Sequence, residues 1–386
     1  MKIVIFQPML KAYRVPLFAK LHESLAANGH ELRVVFGMPA GEDLERKDNV
    51  AIAANYYFFE KSRWFFSNKL HVLQGVIGHV TWADIVVTEQ ANKHFHNYLL
   101  ILLSLIRFKP FAYWGHGLNR QGNPHSVSEY LKKQMAVHVD WWFAYTGIVA
   151  NYLEEIGYSG QRISVLNNSI DTQRFKLNLN NLTAPEVEMF RLLHAIPVEA
   201  QIGLFCGSLH KNKNIGFLLD SAVLIKQTNP NFVLIIGGEG EDRSLVERFA
   251  GQYDFIIYLG RLEGRKKDLA FKCADVFLNP CMVGLAILDA FSASLPLITT
   301  NQPAHSPEID YLQLGHNGMI SDYTVESYAL MVISTLASPS LLNQLKANAR
   351  ISSENYSIEN MVANFVGGLE NFIAHLNTRK GILQAF

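Results

Sequence analysis

Three stretches in the second half of this 386-residue chain put small and polar residues just after apolar runs, where a ligand could be held. In Phe205–Ala222, FCGSLHKNKNIGFLLDSA, a strand-like run ends in a loop carrying Gly207, Ser208, Lys211 and Lys213, and a helical pattern follows. Lysines beside a helix N-terminus favour one ligand, a phosphate, because cation and helix dipole act in the same sense. The same lysines also fit an ordinary solvated loop. In Leu234–Phe249, LIIGGEGEDRSLVERF, the glycines serve either a tight turn or the close approach of a ligand. In Asp275–Asn301, Pro280 ends a strand, Gly284 and Leu285 open a helix, and Asp289 stands alone among small apolar residues. A lone carboxylate there needs a partner, and ligand hydroxyls are one. Further on, Glu308 in HSPEIDYL is either a helix-start carboxylate or a ligand contact, and His116 between Gly115 and Gly117 faces a cleft if it ends a strand.

Other chemistries leave no trace. The first apolar run is followed by FQPMLKAYR, without the G-x-G-x-x-G of dinucleotide binding. Neither a P-loop, G-x-S-x-G nor H-E-x-x-H occurs. The three cysteines show no zinc spacing and are too few for a disulfide framework, which points to a reducing, cytoplasmic setting. No acidic pair ends a strand, so neither a metal nor a cofactor is expected. With 34 Lys and Arg against 34 Asp and Glu, no basic field marks a nucleic-acid partner. The opening KIVIFQPML lacks the cleavage site of a signal peptide. The greasiest run, Tyr98–Ile106, is too short to span a bilayer, which needs about 20 residues.

The elements that must position these residues alternate. Ile3–Phe6, Glu31–Gly37, Asp84–Glu89, Phe111–Gly117, Asp140–Thr146 and Arg162–Asn168 read as strands with helices between them. The rhythm restarts with Gln201–Ser208, Asn231–Gly240, Phe255–Arg261, Asp275–Pro280 and Leu295–Asn301. This implies an α/β protein with two Rossmann-like, doubly wound parallel sheets, whose ligands sit at the carboxyl ends of the strands. The domains expected are 1–171, a polar linker over 172–200 containing RFKLNLNNLTAPE, 201–357, and a C-terminal helix and tail over 358–386. That helix could pack on either domain.

The three stretches together resemble the donor-binding domain of retaining glycosyltransferases of the GT-B fold, in particular glycosyltransferase family 4. Gly207, Leu209 and Lys213 match its G-R-L-x-x-x-K-G, and Gly238, Gly240 and Leu245 match its G-x-G-x-x-x-x-L. Gly284, Leu285, Leu288, Ala290, Ala293 and Pro296 match E-G-F-G-L-x-x-L-E-A-x-A-x-G-x-P-V, with Asp289 in place of the second Glu. YRVP (Tyr13–Pro16), YWGHGLN (Tyr113–Asn119) and VLNNSIDTQRF (Val165–Phe175) extend the likeness into the first half. Four positions depart: Ser208 for the motif Arg, Asn214 for Gly, Cys281 for the first Glu and Val283 for Phe. NPCMVGL is similar to the branch that reads P-G-x-V-G-L.

The resemblance implies two domains facing a central cleft. The first binds the acceptor, with Arg14 as an acceptor contact. The second binds a UDP- or GDP-linked sugar through Gly207, Ser208, Lys211, Gly284, Leu285, Asp289 and Glu308. His116 and Lys213 are the expected catalytic residues. Transfer with retention to a saccharide acceptor, with a lipid carrier favoured, in cell-surface polysaccharide synthesis is the expected function. The basic and aromatic mixture of Glu60–Leu70 and Ile106–Phe111 suits peripheral contact with the inner face of a membrane, or else flanks an ordinary core helix. A sugar-nucleotide epimerase on the same fold, or a non-catalytic nucleotide-sugar-binding protein, remains an alternative.

Overall fold

A computed structural model describes residues 1–38, 54–67, 70–117 and 127–384. Leu118 and Asn119 of the YWGHGLN motif, and Asn68 and Lys69 of the basic and aromatic stretch, lie outside these residues. The chain forms two compact units, Met1–Ile170 with Ile358–Phe386, and Asp171–Ser357.

Unit 1 is a seven-stranded sheet in the order β3-β2-β1-β6-β7-β8-β9, parallel throughout. Its strands are β1 (Lys2–Gln7), β2 (Glu31–Phe36), β3 (Tyr57–Phe59), β6 (Ile85–Glu89), β7 (Phe111–Gly115), β8 (Trp141–Ala144) and β9 (Ile163–Val165). A separate antiparallel hairpin, β4 (Ser62–Phe65) and β5 (Leu70–Leu73), runs through the stretch read as a basic and aromatic surface. The helices are α1 (Val15–Ala27), α2 (Val76–Trp82), α3 (Phe95–Leu105), α4 (Val127–Val137) and α5 (Gly147–Glu155). Strands buried on both faces explain the near-continuous apolar runs. Ile3, Ile5, Val34, Ile85 and Phe143 pack towards α1, whereas Val4, Phe6, Val35, Val86 and Trp142 pack towards α2, α3 and α5.

Unit 2 is a six-stranded parallel sheet in the order β12-β11-β10-β13-β14-β15. The strands are β10 (Gln201–Cys206), β11 (Phe232–Gly237), β12 (Ile256–Tyr258), β13 (Val276–Leu278), β14 (Leu297–Thr300) and β15 (Gly318–Ser321). Two helices, α6 (Thr172–Asn180) and α7 (Ala184–Leu193), precede them, followed by α8 (Ile215–Thr228), α9 (Arg243–Gln252), α10 (Gly264–Cys273), α11 (Ala286–Ser292), α12 (Val325–Leu336) and α13 (Pro339–Asn355).

The polar linker is thus corrected: most of 172–200 is helical and belongs to unit 2. Its polar residues include caps. The Asp171 carboxylate accepts from the Arg174 N–H at 3.1 Å, and Glu186 accepts from the Thr183 N–H at 2.9 Å and hydroxyl at 2.7 Å. Phe175, Leu179 and Phe190 supply a buried face. The last helix, α14 (Ile358–Gln384), belongs to unit 1, where Phe365 stacks on Phe143 and meets Trp114 edge-on, and Phe372 stacks on Trp141.

Candidate active site

In an open parallel sheet the crevice opens where the strand order reverses. In unit 2 that point lies between β10 and β13, each followed by one of the loops singled out above. Lys213, in a short 3-10 turn after β10, is buried to 7% exposure. Its ammonium donates to the Met282 carbonyl at 2.5 Å, tying the β10 loop to the β13 loop. Burial pushes its pKa down to about 8, against the opposing pull of Cys281, Glu308 and Cys206. Gly207 lies against this side chain: a Cβ built there would stand 4.0 Å from the Lys213 Cε.

The loop after β13 is held from β14. His305 accepts the Val283 N–H on Nδ1 at 3.0 Å and contacts the Thr300 carbonyl through Nε2 at 2.9 Å. A carbonyl only accepts and an amide N–H only donates, so the ring is the neutral tautomer protonated on Nε2. The Thr300 hydroxyl donates to the Pro280 carbonyl at 2.6 Å. With Val283 pinned inward, the N–H groups of Gly284 and Leu285 donate to no protein atom among the described residues. Both residues are half-buried.

Asp289, in the first turn of α11, forms an ion pair with Lys267 of α10 at 2.8 Å. Cys281, at the place of the motif's first Glu, directs its thiol to the Tyr323 hydroxyl at 3.5 Å. Glu308 is 2% exposed, in a 3-10 turn over Pro307–Tyr311, close enough to act on Lys213. Ser208 and Lys211 are exposed on the β10 loop, and the Lys211 N–H donates to Glu241 at 2.9 Å.

Two expectations change. The start of α8 beside the lysines is capped by Asn214, whose side chain accepts from the Phe217 N–H at 3.4 Å, so the open N–H groups are those of the β13 loop. The glycines of GGEG serve packing: a Cβ at Gly238 or Gly240 would collide with the carbonyl of Gly207 or Leu209. His305 and Lys267 were missed from sequence, since each acts through an element distant in the chain. Among the described residues no group of three or more His, Cys, Asp or Glu is placed to hold a metal ion.

In unit 1 the reversal lies between β1 and β6. Arg14 follows β1 and is 3% exposed, its guanidinium over the rings of Tyr13, Trp114 and Tyr145 and donating to the Tyr145 hydroxyl at 3.2 Å. The side chain expected to reach an acceptor is held inside the unit, because a guanidinium stacks well on aromatic faces. His116, just beyond β7, meets the same Tyr145 edge-on at 4.4 Å. It is exposed at its edge, yet crowding by the protein, opposed by Glu89 and reinforced by Lys132, Arg14 and Lys11, holds its pKa down to about 4. Nearby in sequence, His71, His94 and His96 are all buried, with His71 Nδ1 3.0 Å from His94 Nδ1 and His94 stacked on His96.

Helix α3 leaves Phe95, Tyr98, Leu102 and Leu105 exposed, and Ile106 and Phe108 continue the apolar surface beside Arg107 and Lys109. Among the described residues no single helix is long and apolar enough to cross a membrane.

Comparison with known proteins assigns both halves. Residues 17–174 match the family model described as Glycosyltransferase Family 4, and residues 200–338 the model described as Glycosyl transferases group 1. Alpha-monoglucosyldiacylglycerol synthase of Acholeplasma laidlawii is 26% identical over 186 residues, 47% of this chain and 46% of that protein. Phosphatidyl-myo-inositol mannosyltransferase of Mycobacterium leprae (strain TN) is 24% identical over 135 residues, 34% of this chain and 36% of that protein. The chain therefore spans less than half the length of these curated relatives. Anabaena HepE in complex with UDP superposes with a TM-score of 0.69 over 96% of this chain and 100% of that one, at 13% identity. The chain belongs to glycosyltransferase family 4 and has its two-domain GT-B fold.

Proposed function

We propose that the chain transfers a hexosyl group, with retention of anomeric configuration, from a nucleotide-diphosphate sugar to a lipid-linked saccharide in cell-surface polysaccharide synthesis. The observation that carries the donor assignment is the pairing, at one strand-order reversal, of the buried Lys213 ammonium with the N–H groups of Gly284 and Leu285, which meet no acceptor among the described residues. Fixed donors of this kind stabilise charge developing on a departing diphosphate. Gly207 lets the diphosphate approach the β10 loop, Ser208 and Lys211 flank it, Asp289 accepts from the ribose, and Glu308 lies on the sugar side. UDP is the first donor nucleotide to test, since HepE was solved with it.

In the reaction the bond between the sugar's anomeric carbon and the phosphate oxygen breaks and the acceptor oxygen bonds that carbon on the same face. The departing phosphate takes the acceptor's proton. His116, neutral at physiological pH, positions the donor sugar or the acceptor hydroxyl. The lipid-acting names of the two curated relatives favour a lipid-borne acceptor. The exposed apolar face of α3 beside Arg107 suits peripheral binding to anionic head groups at the inner face of a membrane.

The test incubates the chain with UDP- and GDP-sugars, with and without saccharide lipids in anionic vesicles, and reads the product's anomeric coupling by NMR. An α-linked product from an α-linked donor is expected. A β-linked product overturns retention, an epimerised sugar nucleotide without acceptor establishes the epimerase reading, and tight nucleotide binding without turnover establishes the non-catalytic one.

A further inference from the structure

We infer that Lys267 is a positioning residue for Asp289, holding one oxygen of that carboxylate so that the other is presented to the hydroxyls of the donor's ribose. This rests on the donor site proposed above and names a residue outside the matched motifs. Lys267 projects from α10 and Asp289 from α11, and their contact runs from Nζ to Oδ2 at 2.8 Å. The side chains are 25% and 15% exposed, so neither charge is fully hydrated. The ammonium also lies over the Phe175 ring at 4.7 Å and the Phe271 ring at 5.6 Å. Two aromatic faces and a carboxylate therefore fix its place.

Burial alone would lower the Lys267 pKa, yet Asp289 first, then Cys206 and Asp268, raise it above the ordinary value, so it stays an ammonium. Cys206, at the carboxyl end of β10, feels both Lys267 and Lys213, which places the ion pair beside the proposed phosphate site. Oδ1 of Asp289 has no hydrogen bond to a described residue. Aspartate is one methylene shorter than the glutamate of the family motif, so it has less reach to correct a wrong rotamer. Without Lys267 the carboxylate would be left beside the buried Asp268 with no cation against it, and would turn to solvent.

The experiment measures UDP and 2′-deoxy-UDP binding by calorimetry to the wild type, Lys267→Met, Lys267→Arg and Lys267→Met/Asp289→Asn, with a melting curve for each. Wild type should prefer UDP by about tenfold or more, the worth of a charged hydrogen bond. Lys267→Met should bring the two ligands within about twofold, Lys267→Arg should restore most of the preference, and the double variant should regain thermal stability without regaining it. Should Lys267→Met not fold, the double variant and Lys267→Arg carry the same comparison. A preference that survives in Lys267→Met, or in the double variant, overturns the inference. Wild type that binds UDP without preference overturns the ribose role of Asp289 and this inference with it. Wild type that binds neither UDP nor GDP overturns the donor-site reading itself.

Discussion

The two units share one plan, a parallel sheet whose order reverses once, and surround it with different side chains. In unit 2 the lysines stand against oxygens, Lys213 buried in the turn after β10 on the Met282 carbonyl and Lys267 half-buried against Asp289. In unit 1 the buried cation Arg14 is covered by aromatic rings, and the other groups are imidazoles, His71, His94 and His96 buried and His116 exposed, all with pKa values lowered because desolvation disfavours the charged form. A buried ammonium opposes the charge of a diphosphate. A neutral imidazole can only give or take a hydrogen bond at physiological pH. The difference teaches that the shared plan says where a ligand binds, while the buried side chains say what its charge must be.

His116 is the sharpest place to break this comparison. His116→Ala is expected to lower turnover by about 10²–10⁴-fold, the range of a positioned catalytic group. UDP affinity should stay within about twofold, because the proposed nucleotide contacts lie in unit 2. With its pKa held to about 4, the wild-type imidazole should add no inflection to the turnover profile between pH 6 and 8. Normal turnover in His116→Ala, or an equal loss of UDP binding, would show that the assignment of roles to the two units is wrong.

Acid should weigh more heavily on unit 1, where His71, His94 and His96 are buried and neutral, than on unit 2, where His305 is. His94, well below its ordinary pKa, and His96, at about 3, are neutral when folded, while an unfolded histidine titrates near 6.5. Between those values the unfolded chain binds more protons, so stability falls as pH is lowered through 6.5 and goes on falling towards the folded values. From pH 7 to pH 5 the loss is about 2 kcal/mol for His96. All five tryptophans, Trp64, Trp82, Trp114, Trp141 and Trp142, lie in unit 1. Their fluorescence therefore reports that unit alone, and its melting midpoint should drop by several degrees more than the second transition seen by far-UV circular dichroism. Equal shifts in the two signals would contradict the contrast.

The long buried strands were legible in sequence because parallel strands covered on both faces leave apolar runs such as IVIF and FVLIIG. Short strands were not: Tyr57–Phe59 and Gly318–Ser321 sit at sheet edges, where burial is partial and leaves too few apolar residues to form a pattern. Helix α6 was hidden by its asparagines and α7 by Pro185, which reads as the end of a linker, although Asp171, Thr183 and Glu186 were readable caps. In the site, Lys213, Gly284 and Asp289 stood out because each lies at a fixed offset within one loop and helix. His305 and Lys267 did not, since the contacts that matter, to Val283 and Asp289, join residues 22 apart in the chain across separate elements.

The smallest expected effect tests the cationic side of the contrast. Lys213→Ala should weaken UDP binding by about ten- to a hundredfold, the worth of a charged hydrogen bond to phosphate, while leaving uridine affinity almost unchanged. Because burial brings the Lys213 pKa down to about 8, its charge in the free protein is present below that pH and lost above it. Wild-type UDP affinity should therefore fall as pH rises from 7 to 9, by no more than tenfold per unit. Lys213→Arg, whose guanidinium keeps its proton throughout, should flatten that slope even where its shape lowers affinity. A slope that persists in Lys213→Arg would assign the titration to another group. Equal loss of uridine and UDP in Lys213→Ala would mean that the lysine supports the fold through its bond to the Met282 carbonyl and has no direct part in holding phosphate.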